Sequence, residues 1–117
     1  MVARKTRDTH TTRQVLIAFL DAPGHELHGY GVISEVGMKS GTVYPMLVRL
    51  EGAGVLDSRW ENIDPNVEGR RPRRLYTLTA AGVTAAQEAR AREIDRSLLL
   101  NPGIVFAAGP ADGALAP

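Results

Sequence analysis

Along most of this chain the apolar positions recur at helical spacing, and in one stretch the period drops to two. From Thr12 onward, Val15, Leu16, Phe19 and Leu20 share a helix face, which Ala22, Pro23 and Gly24 bring to an end. Residues 27–36 read as a short second helix with Val32, Ile33 and Val36 inward. Gly29 and Gly31 each weaken it by about 1 kcal/mol relative to alanine, so packing must hold it. After a turn at Gly37, Met38 and Lys39, the residues Val43, Met46, Leu47 and Leu50 fall at i, i+3, i+4 and i+7, one face of an amphipathic helix. Its other face, Thr42, Tyr44, Pro45, Val48 and Arg49, carries no acid. Ser40 or Thr42 is expected to cap it, and Gly52 and Gly54 to stop it. Pro45 suits a first turn, so the regular helix is expected to start near Thr42, with residues 39–41 as the turn before it.

The period of two appears in residues 55–63, where Leu56 and Trp60 alternate with Asp57, Arg59 and Glu61. Asp64, Pro65, Asn66 and Gly69 break this strand, and a second one resumes over residues 73–78 with Tyr76 and Leu78 on one side. Thr79 is a good N-cap for a last helix rich in alanine, glutamate and arginine. Its thin stripe of Ala80, Val83, Ala91, Ile94 and Leu98 has roughly coiled-coil spacing and calls for a partner surface, the same helix of a second subunit or residues 15–20 packed nearby, with a dimer the more economical. The order predicts a mainly α chain with a small β-hairpin, in which a short helix, a turn and a second helix precede a two-stranded ribbon. That is a winged helix-turn-helix over residues 12–78, with a C-terminal dimerisation helix over 79–100. Residues 1–11 are expected to form a flexible basic arm and residues 101–117 a disordered tail. Leu16, Val83, Ile94 and Leu98 are the expected dimer contacts. Trp60 is expected in the core or at an interface, with stacking on a ligand as the alternative.

Length and composition narrow the class. A chain of 117 residues with 44% apolar content suits one compact domain. It has no cysteine, which excludes a disulfide framework, a thiolate zinc site and a cysteine nucleophile, and fits a cytoplasmic protein. No apolar run is long enough for a membrane span, and residues 1–10 lack the apolar core of a signal peptide. The net charge of +1 is unevenly spread. Arg4, Lys5, Arg7 and Arg13 face only Asp8 in the first stretch, and Arg70, Arg71, Arg73 and Arg74 run together without an acid. Between them the chain is net acidic. Two basic patches on a near-neutral chain point to a polyanion on one side, against the plainer reading of solvated surface charge.

Enzyme chemistry finds little support. His25, Glu26 and His28 sit in HELH, which lacks the i, i+4 histidine spacing of a zinc-protease helix, and no third ligand type joins them. No phosphate-binding glycine loop and no GxSxG nucleophile elbow is present, so neither a cofactor nor a metal is expected. A helix with a hydroxyl-bearing N-terminus and a basic wing instead suit double-stranded DNA. Thr42 and Tyr44 are placed to meet base edges or phosphates, Lys39 lies at the entry to the helix, and Arg49 is placed to reach phosphate.

The residues LHGY at 27–30, SGTVYPMLVRLEGAGVL at 40–56 and GRRPRRLYTLTAAG at 69–82 resemble the PadR family of bacterial transcriptional regulators. The resemblance spans roughly residues 15–89. It implies a homodimeric winged helix that binds palindromic operator DNA, usually as a repressor. The positions it carries over are Tyr30, Ser40, Thr42 and Tyr44, with Arg70, Arg71, Arg73 and Arg74 at the wing. Packing roles stand as the alternative for Tyr30 and Tyr44. It also implies small aromatic effectors, for which Trp60 is the candidate contact here. With one C-terminal helix the chain looks like the short form of the family, so a pocket built from further helices does not follow. The rival function is a dimeric winged-helix module that binds protein and has no specific DNA site.

Overall fold

The computed structural model describes residues 9–100; residues 1–8 of the expected arm at 1–11 and the expected tail at 101–117 lie outside the described residues. Five helices and three strands follow in the order α1 (His10–Asp21), β1 (Glu26–His28), α2 (Gly29–Val36), α3 (Ser40–Gly52), β2 (Leu56–Trp60), α4 (Pro65–Glu68), β3 (Arg74–Leu78) and α5 (Ala80–Leu100). The apolar faces read from the sequence meet in one core. Val15 and Phe19 of α1, Val32 of α2, and Val43, Leu47 and Leu50 of α3 are fully buried, and Leu56 and Leu78 bring the sheet onto them. Each such side chain contributes about 1.5–3 kcal/mol on burial. Helices α2 and α3 with the following β2–β3 wing form a winged helix-turn-helix.

The sheet holds one strand more than expected. Its order is β1-β3-β2, both pairings antiparallel. Three residues are too few to show an alternating pattern, and β1 is fixed from outside itself. Its Glu26 carboxylate accepts from the Thr77 hydroxyl and from Arg59 Nη2, both at 3.0 Å. The first helix also starts earlier than its apolar face suggests, because Thr9 caps it through a 3.1 Å bond from the Thr12 N–H to the Thr9 hydroxyl.

Helix α3 begins at Ser40, ahead of the expected Thr42. The cap position thus falls to Lys39, which has no acceptor to offer, and no side chain caps the helix. Ser40 is already in the first turn, too late to cap it. Pro45 lies inside the helix, where it leaves the Gly41 carbonyl without its i+4 donor. The defect sits on the exposed face, where water can satisfy that carbonyl.

At the other end, Thr79 caps α5 as expected: its hydroxyl accepts the Gly82 N–H at 3.0 Å. The face that α5 buries is not the expected stripe. Gly82, Ala86 and Ala89 turn inward, while Ala80, Ala91, Ile94 and Leu98 are exposed. Close helix packing favours the smallest residues, and a Cβ on Gly82 would collide with the Val55 carbonyl oxygen. Polar contacts fasten α5 to α1 as well. Glu93 lies 2.7 Å from His10 Nδ1 and accepts from Arg13 Nε at 2.6 Å, and Arg90 pairs with Asp21. Leu16, expected at a dimer interface, is only 6% exposed and belongs to the core of its own chain. Val83 is half-buried against that core.

A pair of glycine substitutions checks this packing. Gly82→Ala should destabilise the protein by about 1–3 kcal/mol or more through overpacking. Gly52→Ala, at a helical position with nothing within 4 Å, should stabilise it by up to about 1 kcal/mol. Urea denaturation of the two variants beside the parent measures both signs.

Candidate nucleic-acid interface

Because α3 buries Val43, Met46, Leu47 and Leu50, geometry leaves Thr42, Tyr44, Pro45, Val48 and Arg49 on the outside. All five are exposed, as are Lys39 and Ser40 at the start of the helix. Tyr44 is steered by a glycine: a Cβ on Gly29 would collide with Tyr44 Cε1, so the ring rests on the bare backbone at the start of α2. At Gly29 the missing side chain thus makes room for an aromatic contact. Tyr30 is 69% exposed, its ring 6.4 Å from that of His28.

Across from these residues stands the wing. Trp60 is 61% exposed, which rules out the core half of the expectation and leaves an interface or a ligand contact. It does share the strand face of Leu56, but the helices cover only the Leu56 end of β2, and the strand runs out beyond them. Its partner is Arg74, paired with it across the hairpin, whose Cζ lies 5.4 Å from the ring centroid. Between wing and helices lies an open cleft of about 440 Å³, walled by His28, Tyr30, Tyr44, Trp60, Arg73 and Tyr76. Burial and then the Arg73 charge hold the His28 pKa below its ordinary value.

The four wing arginines differ in what they face. Arg70 is held by Glu61, with Nη1 to Oε1 at 2.6 Å and Nη2 to Oε2 at 3.1 Å. Arg74 donates to the Ser58 hydroxyl at 2.8 Å, and that hydroxyl donates to Glu51 at 2.6 Å. The side chains of Arg71 and Arg73 are exposed and form no ion pair among the described residues. The same holds for Lys39 and Arg49. The structure thus gathers Tyr30, Tyr44, Trp60, Arg73 and Arg74 around one cleft, places Lys39, Ser40, Thr42 and Arg49 on the adjoining helix, and turns Arg70 inward. Sequence reasoning passed over His28, Gly29 and Glu61. Glu61 was findable: continuing the Trp60–Arg74 register by one step sets it opposite Arg73. Arg4, Lys5 and Arg7 of the arm lie outside the described residues.

The hydrogen bonds from the Arg70 side chain and the Arg73 backbone lower the Glu61 pKa to about 2. Its folded value is depressed, so the stabilisation it brings is complete above the ordinary value of 4.5 and is lost as pH falls toward about 2. Carboxyl NMR titration should place the Glu61 midpoint near that lower value; a midpoint at the ordinary value contradicts the pairing.

No curated protein sequence matches the chain. A PadR family transcriptional regulator from Eggerthella lenta is similar in structure, with a TM-score of 0.55 and 24% identity over 85% of this chain and 88% of that one. A PadR family transcription regulator from Clostridium difficile gives a TM-score of 0.60 and 21% identity over 79% and 98%. The adhesin competence repressor AdcR from Streptococcus pyogenes gives 0.62 and 14% over 86% and 68%. At such identities the likeness shows the fold. Residues 16–88 match the family described as "Transcriptional regulator PadR-like family". With well over half of its length inside that match, the chain belongs to the PadR-like family of transcriptional regulators.

Proposed function

We propose that the protein is a homodimeric repressor that binds a palindromic operator in the cytoplasm. The observation that carries this reading is the outer face of α3: Lys39, Ser40, Thr42, Tyr44, Val48 and Arg49 are all exposed, beside a wing that turns Arg71 and Arg73 outward. The N-terminal half of α3 enters the major groove, which is wide enough for a helix. There the Thr42 and Tyr44 hydroxyls meet base edges or phosphates, and the Thr42 and Val48 methyls meet a thymine methyl. Arg49, further along the helix, and Arg71 and Arg73 take phosphates. AdcR, a repressor by its name, has the same fold, which supports repression as the outcome.

The apolar side of α5 supports the dimer. Ile94 is 56% exposed, and Leu98 and Leu99 continue the uncovered surface, which a second copy of the helix would bury. Two recognition helices would then read half-sites about 34 Å apart, one turn of DNA. The aromatic cleft supports release by a small aromatic ligand: a ring seated between Tyr44 and Trp60 competes with DNA for the same surface.

Fluorescence anisotropy over a salt series, with a duplex from the gene's own upstream region and a random duplex, tests the reading. Preference for the upstream duplex by about a thousandfold or more is expected of a specific regulator. Thr42→Ala should reduce that preference. Arg71→Ala with Arg73→Ala should weaken both duplexes alike and lower the log–log salt slope by about 0.9 for each phosphate no longer neutralised. Weak, equal binding of the parent to both duplexes would favour a protein-interaction module instead. Separately, Ile94→Asp should shift the protein from dimer to monomer in sedimentation velocity without changing its helical circular dichroism.

A further inference from the structure

The wing carries an acid that its arginine run does not reveal. Glu61 follows β2 directly and faces Arg73: its N–H donates to the Arg73 carbonyl at 2.9 Å, and its Oε1 accepts the Arg73 N–H at 2.9 Å. The same carboxylate receives both terminal nitrogens of Arg70. Arg70 Nη1 also donates to the Arg71 carbonyl at 3.2 Å. One side chain therefore ties the end of β2 to the far side of the wing loop, through forked, charge-assisted bonds of the most directional kind. Within the loop, α4 is closed locally by the Asp64 carboxylate, which accepts the Asn66 N–H at 2.9 Å. Across its base, the side-chain bonds among the described residues that cross the loop converge on Glu61.

A carboxylate on a surface that meets phosphates should repel DNA, and charge alone says that removing it tightens binding. The hydrogen bonds argue for the opposite sign. We propose that Glu61 is a positioning residue of the DNA interface: it clasps Arg70 and the Arg73 N–H, so that the wing is ordered before DNA arrives and presents Arg71 and Arg73, not Arg70, to the phosphates. The inference rests on the DNA-binding reading above. Its physical content is preorganisation, since a loop already held in place loses less conformational entropy when it binds.

The test uses the full chain with Glu61→Ala and Glu61→Gln. Binding to the preferred duplex is measured by anisotropy, and exchange of the Arg73 amide by NMR. Glu61→Ala should bind about tenfold more weakly, the scale of one missing charged hydrogen bond, and its Arg73 amide should exchange about tenfold faster or more as the wing opens locally. The melting temperature should fall, by the stabilisation that the pairing brings at neutral pH. Glu61→Gln keeps an oxygen for the Arg73 N–H and Arg70 Nη1 but loses the Nη2 bond and the charge, so its affinity should fall between those of the parent and Glu61→Ala. Equal or tighter binding by Glu61→Ala, or an Arg73 amide that exchanges as slowly as in the parent, overturns the clasp. Parent protein that binds neither duplex overturns the DNA reading, and the interface role with it, which is a different result from a variant that binds as well as its parent.

Discussion

Everything in this fold depends on α3 having two incompatible faces. Val43, Met46, Leu47 and Leu50 must leave water, and among the described residues the core they join is completed by α1, α2, α5 and the inner end of the sheet. Rotating α3 to bring Tyr44 or Val48 inward would expose four large apolar side chains, at a cost of about 1.5–3 kcal/mol each. The core thus fixes the rotation of the helix, and with it which residues meet an outside partner. Gly29 adds a finer control, because the space left by its missing side chain is where the Tyr44 ring rests.

The same contrast explains what could be read from the sequence. Helices with large apolar residues at regular spacing were legible: α1, α2 and α3 bury the faces expected of them, and Tyr76 and Leu78 bury theirs in β3. Two kinds of feature were not. A strand of three residues has no period to display, so β1 becomes visible only when β3 is there to pair with it. A face of glycine and alanine hardly registers on a hydrophobic scale, yet Gly82, Ala86 and Ala89 are what lets α5 lie close to the rest of the chain. Trp60 marks a third limit, since alternation assigns a residue to a face of the sheet without saying how far along the strand the helices reach.

Charge was harder to read than hydrophobicity. A count along the chain takes four wing arginines as four cations for a polyanion, whereas the fold engages two of them internally. Arg70 faces Glu61, and Arg74 lies over Trp60 and bonds to Ser58. Partners across a hairpin are distant in sequence and adjacent in space. Residue types at one position of a local run therefore say little about net local charge until the register is known. The family resemblance named the segment as a whole and could not sort its arginines.

The small-residue face of α5 also bears on assembly. Ala91, Ile94 and Leu98 are not what packs α5 on its own chain. Because Gly82, Ala86 and Ala89 make the intrachain contact, the larger residues beyond Glu93 are left uncovered among the described residues. The Glu93 contacts with His10 and Arg13 stand at the change between the two regimes. Burial raises the Glu93 pKa, but the contacts with His10 and Arg13 outweigh it and bring it below its ordinary value. A charged cluster there marks where the helix stops serving its own core. In the proposed dimer, dividing the two faces along the length of the helix spares it a choice between core and partner.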